Sequence, residues 1–398
     1  MTRLKIIFLS VLICVCPLSA RATEQATVYP YDVDFEEYWF TPSSAEYVSN
    51  GDAKALILME YSTGKILFAE NECEHLPIAS VTKVISTLLV MEAIDEGRIS
   101  LSDIVTVSEY AASMGGSQVF LEAGEEMSVE DLLKSLVVVS ANDATVALGE
   151  YICGSEAAFV KAMNDRAREL GCENSNFVNT NGLPDENHYS CALDVAIITR
   201  ELMKHKTIFN YTGIWMDTIR NGSFGLANTN KLIRFYKGAT GMKTGFTGEA
   251  KYCLSGTAER DGMSLIAVVL GAETSDKRFA TAKGLLDYGF ANYSVITPEI
   301  PNIEPIAVTR GEVGYANLQA EPISILVEKN QSKGIETKFI INESLNAPVS
   351  IGTEAGFVAF YKDGTEIART KVVASENVAE VSYFSLLGRF FKTLFFLT

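Results

Sequence analysis

The chain has 398 residues, a formal net charge of -17 and seven cysteines. Such a length sets two domains as the prior, and 47 % hydrophobic against 21 % charged residues excludes global disorder. The acidic balance argues against a phosphate backbone as main partner, since such sites need clustered Lys and Arg, so no nucleic-acid role is expected.

Residues 1–22 read as a secretory signal peptide: Arg3 and Lys5, an apolar run from Ile6 to Val15, Pro17, then Ala20-Arg21-Ala22. The run is shorter than the roughly 20 residues a membrane-spanning helix needs. Residues 23–52 are acidic and Tyr-rich and receive no role. Ala55–Tyr61 and Lys65–Glu70 flank Ser-Thr-Gly and predict a β-hairpin. A helix follows from Ser80 to Glu96 and stops at Gly97. Further helices are expected at about 129–139, 144–152, 155–170 and 190–204. Lys251–Ala258 and Met263–Ala272 form a second hairpin around Glu-Arg-Asp-Gly, and a helix at about 276–288 closes the unit. Strands at both ends with helices between them predict an α+β domain, an antiparallel sheet with flanking helices, over residues 53–297.

Pro298, Pro301 and Pro305 mark a linker over 298–305, and the short alternating runs of 306–376 predict a small all-β, sandwich-like domain. Residues 377–398 end in an amphipathic helix. On a helical wheel Phe384, Leu386, Leu387, Phe390, Phe391, Leu394, Phe395 and Leu397 share one half, opposite Arg389 and Lys392. A basic face opposite a Phe/Leu face suits a helix lying in a membrane surface, so 383–398 is read as an anchor.

Cys14 and Cys16 leave with the signal peptide. The remaining five (Cys73, Cys153, Cys172, Cys191 and Cys253) are an odd number, which argues against a disulfide framework. His188 precedes Cys191 by three residues, a spacing that could activate a thiol, but cysteine is among the most often buried residue types and Cys191 reads as a buried structural residue.

Three short motifs carry the chemistry. Ser80-Val-Thr-Lys83 places a hydroxyl and an amine on one face of a helix whose neighbours, Val84 to Ile94, are mostly apolar. Burial there pushes Lys83 towards the neutral form a general base needs. Ser62-Thr-Gly-Lys65 repeats the spacing, but in a hairpin turn where the side chains need not converge. Ser140-Ala-Asn142 is the second motif, following the apolar run Leu136–Val139; Ser375-Glu-Asn377 is a chance copy. Lys243-Thr244-Gly245 is the third and opens a strand. An edge strand can pair with an extended peptide, Gly245 removes a side chain that would block its approach, and Lys243 and Thr244 suit a terminal carboxylate.

The order S-x-x-K, S-x-N, K-T-G is the signature set of penicillin-binding proteins and class A β-lactamases. From about Ala53 to Ala374 the chain resembles the low-molecular-mass penicillin-binding proteins that act as D-alanyl-D-alanine carboxypeptidases. Pro77–Lys83, Ser140–Ala144, Asn179–Leu183, His188–Ser190, Asn228–Asn230 and Gly241–Gly245 carry the likeness. The resemblance implies a penicilloyl-serine transferase fold with a C-terminal β domain, and an exported enzyme on the outer face of the cytoplasmic membrane. It implies that Ser80 attacks the carbonyl between the two terminal D-alanines of a peptidoglycan stem peptide. Lys83 would take its proton, Ser140 would relay protons to the leaving amine, and Asn142 would bind the substrate amide. Lys243, Thr244 and Gly245 would hold the carboxylate end, and the backbone N–H groups of Ser80 and Phe246 would form the oxyanion hole. β-Lactams would acylate the same serine. No cofactor or metal is implied, and three scattered histidines make a poor zinc site.

Two departures stand out: Cys191 where the family usually has Thr or Ser, and Glu273 near where some members carry a basic residue. A β-lactamase is the first rival reading, but none of Glu150, Glu156, Glu169, Glu173, Glu186 and Glu201 stands in the Glu-x-x-Leu-Asn context of its deacylating glutamate. A DD-endopeptidase shares the acyl-enzyme, and a wall-binding scaffold would have no need of the intact motifs.

Overall fold

The computed structural model describes residue 47, residues 49–329 and residues 333–394. The expected signal peptide, nearly all of the 23–52 segment and the last four residues of the tail lie outside them. The described residues belong to the unit Asp34–Thr398.

The first hairpin forms as expected, with β1 (Ala55–Glu60) antiparallel to β2 (Ile66–Glu70). Its turn is fastened by the buried Glu60 carboxylate, which accepts from the backbone and hydroxyl of both Ser62 and Thr63 at 2.5–2.7 Å. That engagement separates Ser62 from Lys65, so the duplicate motif is a structural turn. Helices α1 (Lys83–Asp95), α2 (Val129–Val138), α3 (Asn142–Cys153), α4 (Glu156–Glu169) and α5 (Ala192–Leu202) follow. Serine side chains cap α2 and α4: Ser128 accepts from Asp131 N and Ser155 from Ala158 N. Then come β3 (Ala239–Thr247), β4 (Lys251–Arg260), β5 (Met263–Ala272) and α6 (Ser275–Asn292).

The five strands form one antiparallel sheet in the order β2-β1-β5-β4-β3. Strand β5 is central and apolar from Leu265 to Leu270, and its alternation splits the core in two. Ile266, Val268 and Leu270 join Ile57, Met59 and the α1–α5 side; Leu265, Ala267 and Val269 join Leu56, Leu58 and the α6 residues Leu285, Leu286 and Phe290. This gives three layers, with α1 buried in the helical one. Two small hairpins escaped the sequence reading, Ile104–Thr106 with Glu126–Ser128 and Met216–Ile219 with Phe224–Ala227. Strands of three or four residues carry too little alternation to register.

After α6 the chain enters β6 (Tyr293–Ile296), and beyond the prolines come β7 (Leu318–Ala320), β8 (Ile325–Glu328), β9 (Ile335–Ile341), β10 (Glu354–Lys362) and β11 (Thr365–Ala374). The order β7-β11-β10-β9 makes a four-stranded sheet over a core of Val358, Phe360, Val372 and Ala374. Strand β6, which precedes the prolines, pairs with β8, which follows them, from Tyr293↔Glu328 to Ile296↔Ile325. Helix α7 (Tyr383–Leu394) ends the described chain.

Candidate active site

Ser80 lies on a 3₁₀ turn, Ala79–Thr82, that runs into α1. Lys83, one turn on, is completely buried, and its Nζ meets three oxygens: Ser80 Oγ at 3.0 Å, Asn142 Oδ1 at 2.6 Å and the Asn181 carbonyl at 3.0 Å. Burial, and secondarily the nearby Lys243, hold the Lys83 amine well below the usual lysine range, against a smaller opposing pull from Asp143. A neutral amine has two N–H groups and one lone pair. The two carbonyl oxygens can only accept, so they take both N–H groups and the lone pair is left for the Ser80 hydroxyl.

Each of these oxygens is delivered by its own device. Asn142 heads α3, its backbone N–H donates to the Ser117 carbonyl at 2.6 Å, and its Nδ2 donates to Gly115 at 2.6 Å, which fixes the amide with Oδ1 towards Lys83. The loop carrying Gly115 and Ser117 is held further on by the buried Asp143 carboxylate, which accepts from Val119 N and Leu121 N at 3.1 Å. Asn181 is presented by a turn in which Asn179 Oδ1 accepts from the backbone N–H of Asn181, Gly182 and Leu183. Gly182, at φ +78°, rests on the nucleophile turn so closely that a Cβ would lie 1.8 Å from the Ala79 carbonyl oxygen. Ser140 sits at φ +64° ahead of α3, and its buried Oγ has no hydrogen-bond partner among the described residues.

Strand β3 is the sheet edge on the other side. Lys243 is buried, its Nζ donates to the Thr244 carbonyl at 2.8 Å, and burial together with nearby Arg278 brings its pKa down to about 7. Thr244 Oγ1 bonds Thr229 Oγ1 at 2.6 Å. Gly245 has a packing role that the sequence does not show. Its α-carbon faces the nucleophile turn, where a Cβ would meet Ile78 O at 2.7 Å and Ser80 N and Val81 N at 3.0 Å, so it is glycine for strand–turn packing before any approach of a peptide. Phe246 is exposed and packs on Tyr252 with ring centroids 4.4 Å apart.

Residue type and spacing point to Ser80, Lys83, Ser140, Asn142 and Lys243 to Gly245, the family resemblance adds Phe246, and neither points to Arg278. Its buried Nη1 donates to the Gly245 and Cys253 carbonyls at 3.1 and 3.2 Å. The departure noted at Glu273 is thus offset: the cation behind the K-T-G strand comes from α6. A cluster of aromatic rings around it, Tyr252 and Phe279, was the available signal. His188 and Cys191 do not form a catalytic pair. The imidazole is buried between Val178 N, which donates to Nδ1 at 3.2 Å, and Thr82 Oγ1, which Nε2 contacts at 2.7 Å, and burial lowers its pKa to about 4. Burial drives the Cys191 thiol well above its usual range, the opposite of the lowered value that an activated catalytic thiol has. Glu150, Glu156 and Glu201 are spent on Ser108, on Thr180 and Tyr110, and on Arg166 and Lys204.

The chain is similar in sequence and fold to known proteins. Residues 41–274 match the family described as D-alanyl-D-alanine carboxypeptidase, and residues 304–380 match the penicillin-binding protein 5 C-terminal domain. The chain is 43 % identical to the D-alanyl-D-alanine carboxypeptidase DacF of Bacillus subtilis, over 85 % of this chain and 89 % of that one. Penicillin-binding protein 5 from Haemophilus influenzae superposes with a TM-score of 0.75 at 32 % identity, covering 84 % of this chain and all of that one. The ampicillin-bound penicillin-binding protein D2 of Listeria monocytogenes matches with a TM-score of 0.55 at 32 % identity, over 60 % of this chain and 98 % of that one. The fold is the α+β penicilloyl-serine transferase fold with an all-β C-terminal domain. With the family covering more than half the sequence, the chain belongs to the D-alanyl-D-alanine carboxypeptidases, the penicillin-binding serine hydrolases that remove a terminal D-alanine.

Proposed function

We propose that Ser80 is the acyl-accepting nucleophile of this carboxypeptidase and Lys83 its general base. The observation that carries the reading is the buried Lys83 amine, within hydrogen-bonding distance of two carbonyl oxygens and of Ser80 Oγ at 3.0 Å; in its neutral form it has a lone pair to offer that hydroxyl. The hydroxyl attacks the carbonyl of the penultimate D-alanine of a peptidoglycan stem peptide and its proton passes to Nζ. Ser140, whose buried hydroxyl is free to turn, relays a proton to the departing amine, and the C–N bond breaks. Asn142 sets the amine and the substrate amide together. The backbone N–H groups of Ser80 and Phe246 hold the oxyanion, and Lys243, Thr244 and Gly245 receive the terminal carboxylate at the sheet edge. Water then hydrolyses the ester. A β-lactam, whose amide occupies the same place, leaves its acyl group on Ser80.

The protein acts outside the cell at the membrane surface, held there by residues 383–398. No helix among the described residues is long and apolar enough to cross a membrane. Tyr383, Phe384, Leu386, Leu387, Phe390 and Phe391 are exposed, Phe384 by 81 %, rather than docked on the protein's own core. The chain divides into a catalytic part, 53–297, a proline linker, 298–305, and a β part, 306–376.

The test is release of D-alanine from a pentapeptide ending in D-Ala-D-Ala, with products resolved by mass, together with labelled penicillin. Wild type releases D-alanine and retains a covalent drug adduct on the Ser80 peptide; Ser80→Ala does neither. Equal release by the two proteins refutes the assignment, and rapid turnover of the drug marks a β-lactamase instead.

A further inference from the structure

Three cysteines surround the start of α5, and two of them touch. Cys191 is buried and caps the helix, its Sγ accepting from Asp194 N at 3.4 Å; Cys172 donates to the Asp194 carbonyl at 3.7 Å. The Cys191 thiol is in hydrogen-bonding contact with that of Cys73, which is half-buried. The backbone enforces this contact. Leu76 and Ser190 exchange N–H···O bonds of 2.8 and 3.0 Å, and Leu193 N–H donates to the Glu72 carbonyl at 2.9 Å. Segments 72–76 and 190–193 therefore lie side by side, with Cys73 and Cys191 inside the bracket. Capping alone does not account for a thiol at position 191, because hydroxyl and carboxylate side chains cap far better. Nor is the cluster a metal cage: no set of three or more His, Cys, Asp or Glu among the described residues has the geometry to hold an ion.

We infer that Cys73 and Cys191 form a disulfide when the folded protein meets a disulfide oxidant, joining the segment that leads into the Ser80 turn to the cap of α5. With oxidised glutathione as oxidant, the half-buried Cys73 thiolate attacks one glutathione sulfur and expels a glutathione thiolate. Cys191, losing its proton, then attacks the Cys73 sulfur and expels the second. Two protein S–H bonds and one glutathione S–S bond are exchanged for the protein S–S bond and two glutathione thiols, which keep the two protons and both electrons. The odd cysteine count is no obstacle, since Cys153, Cys172 and Cys253 remain as thiols.

The experiment takes the purified, fully reduced chain, exposes it to oxidised glutathione, then unfolds, alkylates and digests it for mass spectrometry. The expected result is a cross-linked peptide pair containing Cys73 and Cys191, with Cys153, Cys172 and Cys253 alkylated. The thermal midpoint should rise by roughly 5 °C over the reduced protein, because the cross-link closes a long loop of the unfolded chain. Cys73→Ser, which leaves the cap at Cys191 intact, should fold with the reduced midpoint and show no rise with oxidant. The inference fails if Cys73 and Cys191 are both alkylated, if either pairs with another cysteine, or if glutathione stays on Cys73.

Discussion

Two buried lysines with depressed pKa values lie close enough for one to act on the other, and they ask opposite things of the solvent. Lys83 has to be neutral to accept a proton, and Lys243 has to be charged to attract a carboxylate. The free enzyme's kcat/KM for a D-Ala-D-Ala peptide should therefore be bell-shaped. It rises as Lys83 loses its proton and falls as Lys243 does so near a pH of about 7. An acyl donor without a terminal carboxylate should keep the acid limb and lose the alkaline one; if both limbs persist, Lys243 does not read that carboxylate. Stability follows its own sign. A lysine whose pKa is lowered by folding binds fewer protons folded than unfolded between the two values, so Lys243 adds stability as pH rises from about 7 towards its ordinary value of 10.5. At this scale the hydroxyl–amine pair was legible, because a spacing of three residues on a helix has one geometric outcome. The Asn181 carbonyl was not, since a backbone oxygen has no residue-type signature. Arg278 is far from the K-T-G strand in sequence and meets it only after α6 has folded back.

The 3₁₀ turn that carries Ser80 is gripped between two elements, the Asn179–Leu183 turn and strand β3, and each presents a glycine where a methyl group has no room. Gly245→Ala should push β3 away from the nucleophile turn while leaving the strands paired. Acylation by labelled penicillin should then slow by about a hundredfold, the usual cost of misplacing reacting groups by about 1 Å, with far-ultraviolet circular dichroism unchanged. An undiminished acylation rate would show that the turn tolerates the shift. Elements with long periodic patterns were readable from sequence, among them both hairpins of the main sheet and the helices from α1 to α6. The 190–204 helix begins later than expected, at Ala192, because Cys191 serves as its cap. The two small hairpins are set by tertiary packing that no local pattern records.

For the molecule as a whole, the consequential placements are non-local. Strand β1 lies beside β5 rather than beside β3 or β4, and this order puts the K-T-G strand at the sheet edge next to Ser80. Nothing in the sequence states that order; it follows from burying β5 on both faces. The tail forms a helix over Tyr383–Leu394, and its role as an anchor is the proposal that a truncation tests. Removing residues 383–398 should shift the protein from the membrane pellet to the soluble fraction, with D-alanine release from a soluble pentapeptide changed less than about twofold. Continued pelleting would place the membrane contact elsewhere.

The pairing of β6 with β8 matters to anyone wishing to dissect this enzyme. Scissors applied at the prolines would leave Tyr293–Ile296 on one fragment and Ile325–Glu328 on the other, each missing its hydrogen-bonded mate. Both pieces would then display a raw, sticky border prone to recruiting a stranger's backbone. The two halves are buttoned together by a seam that ignores the apparent hinge.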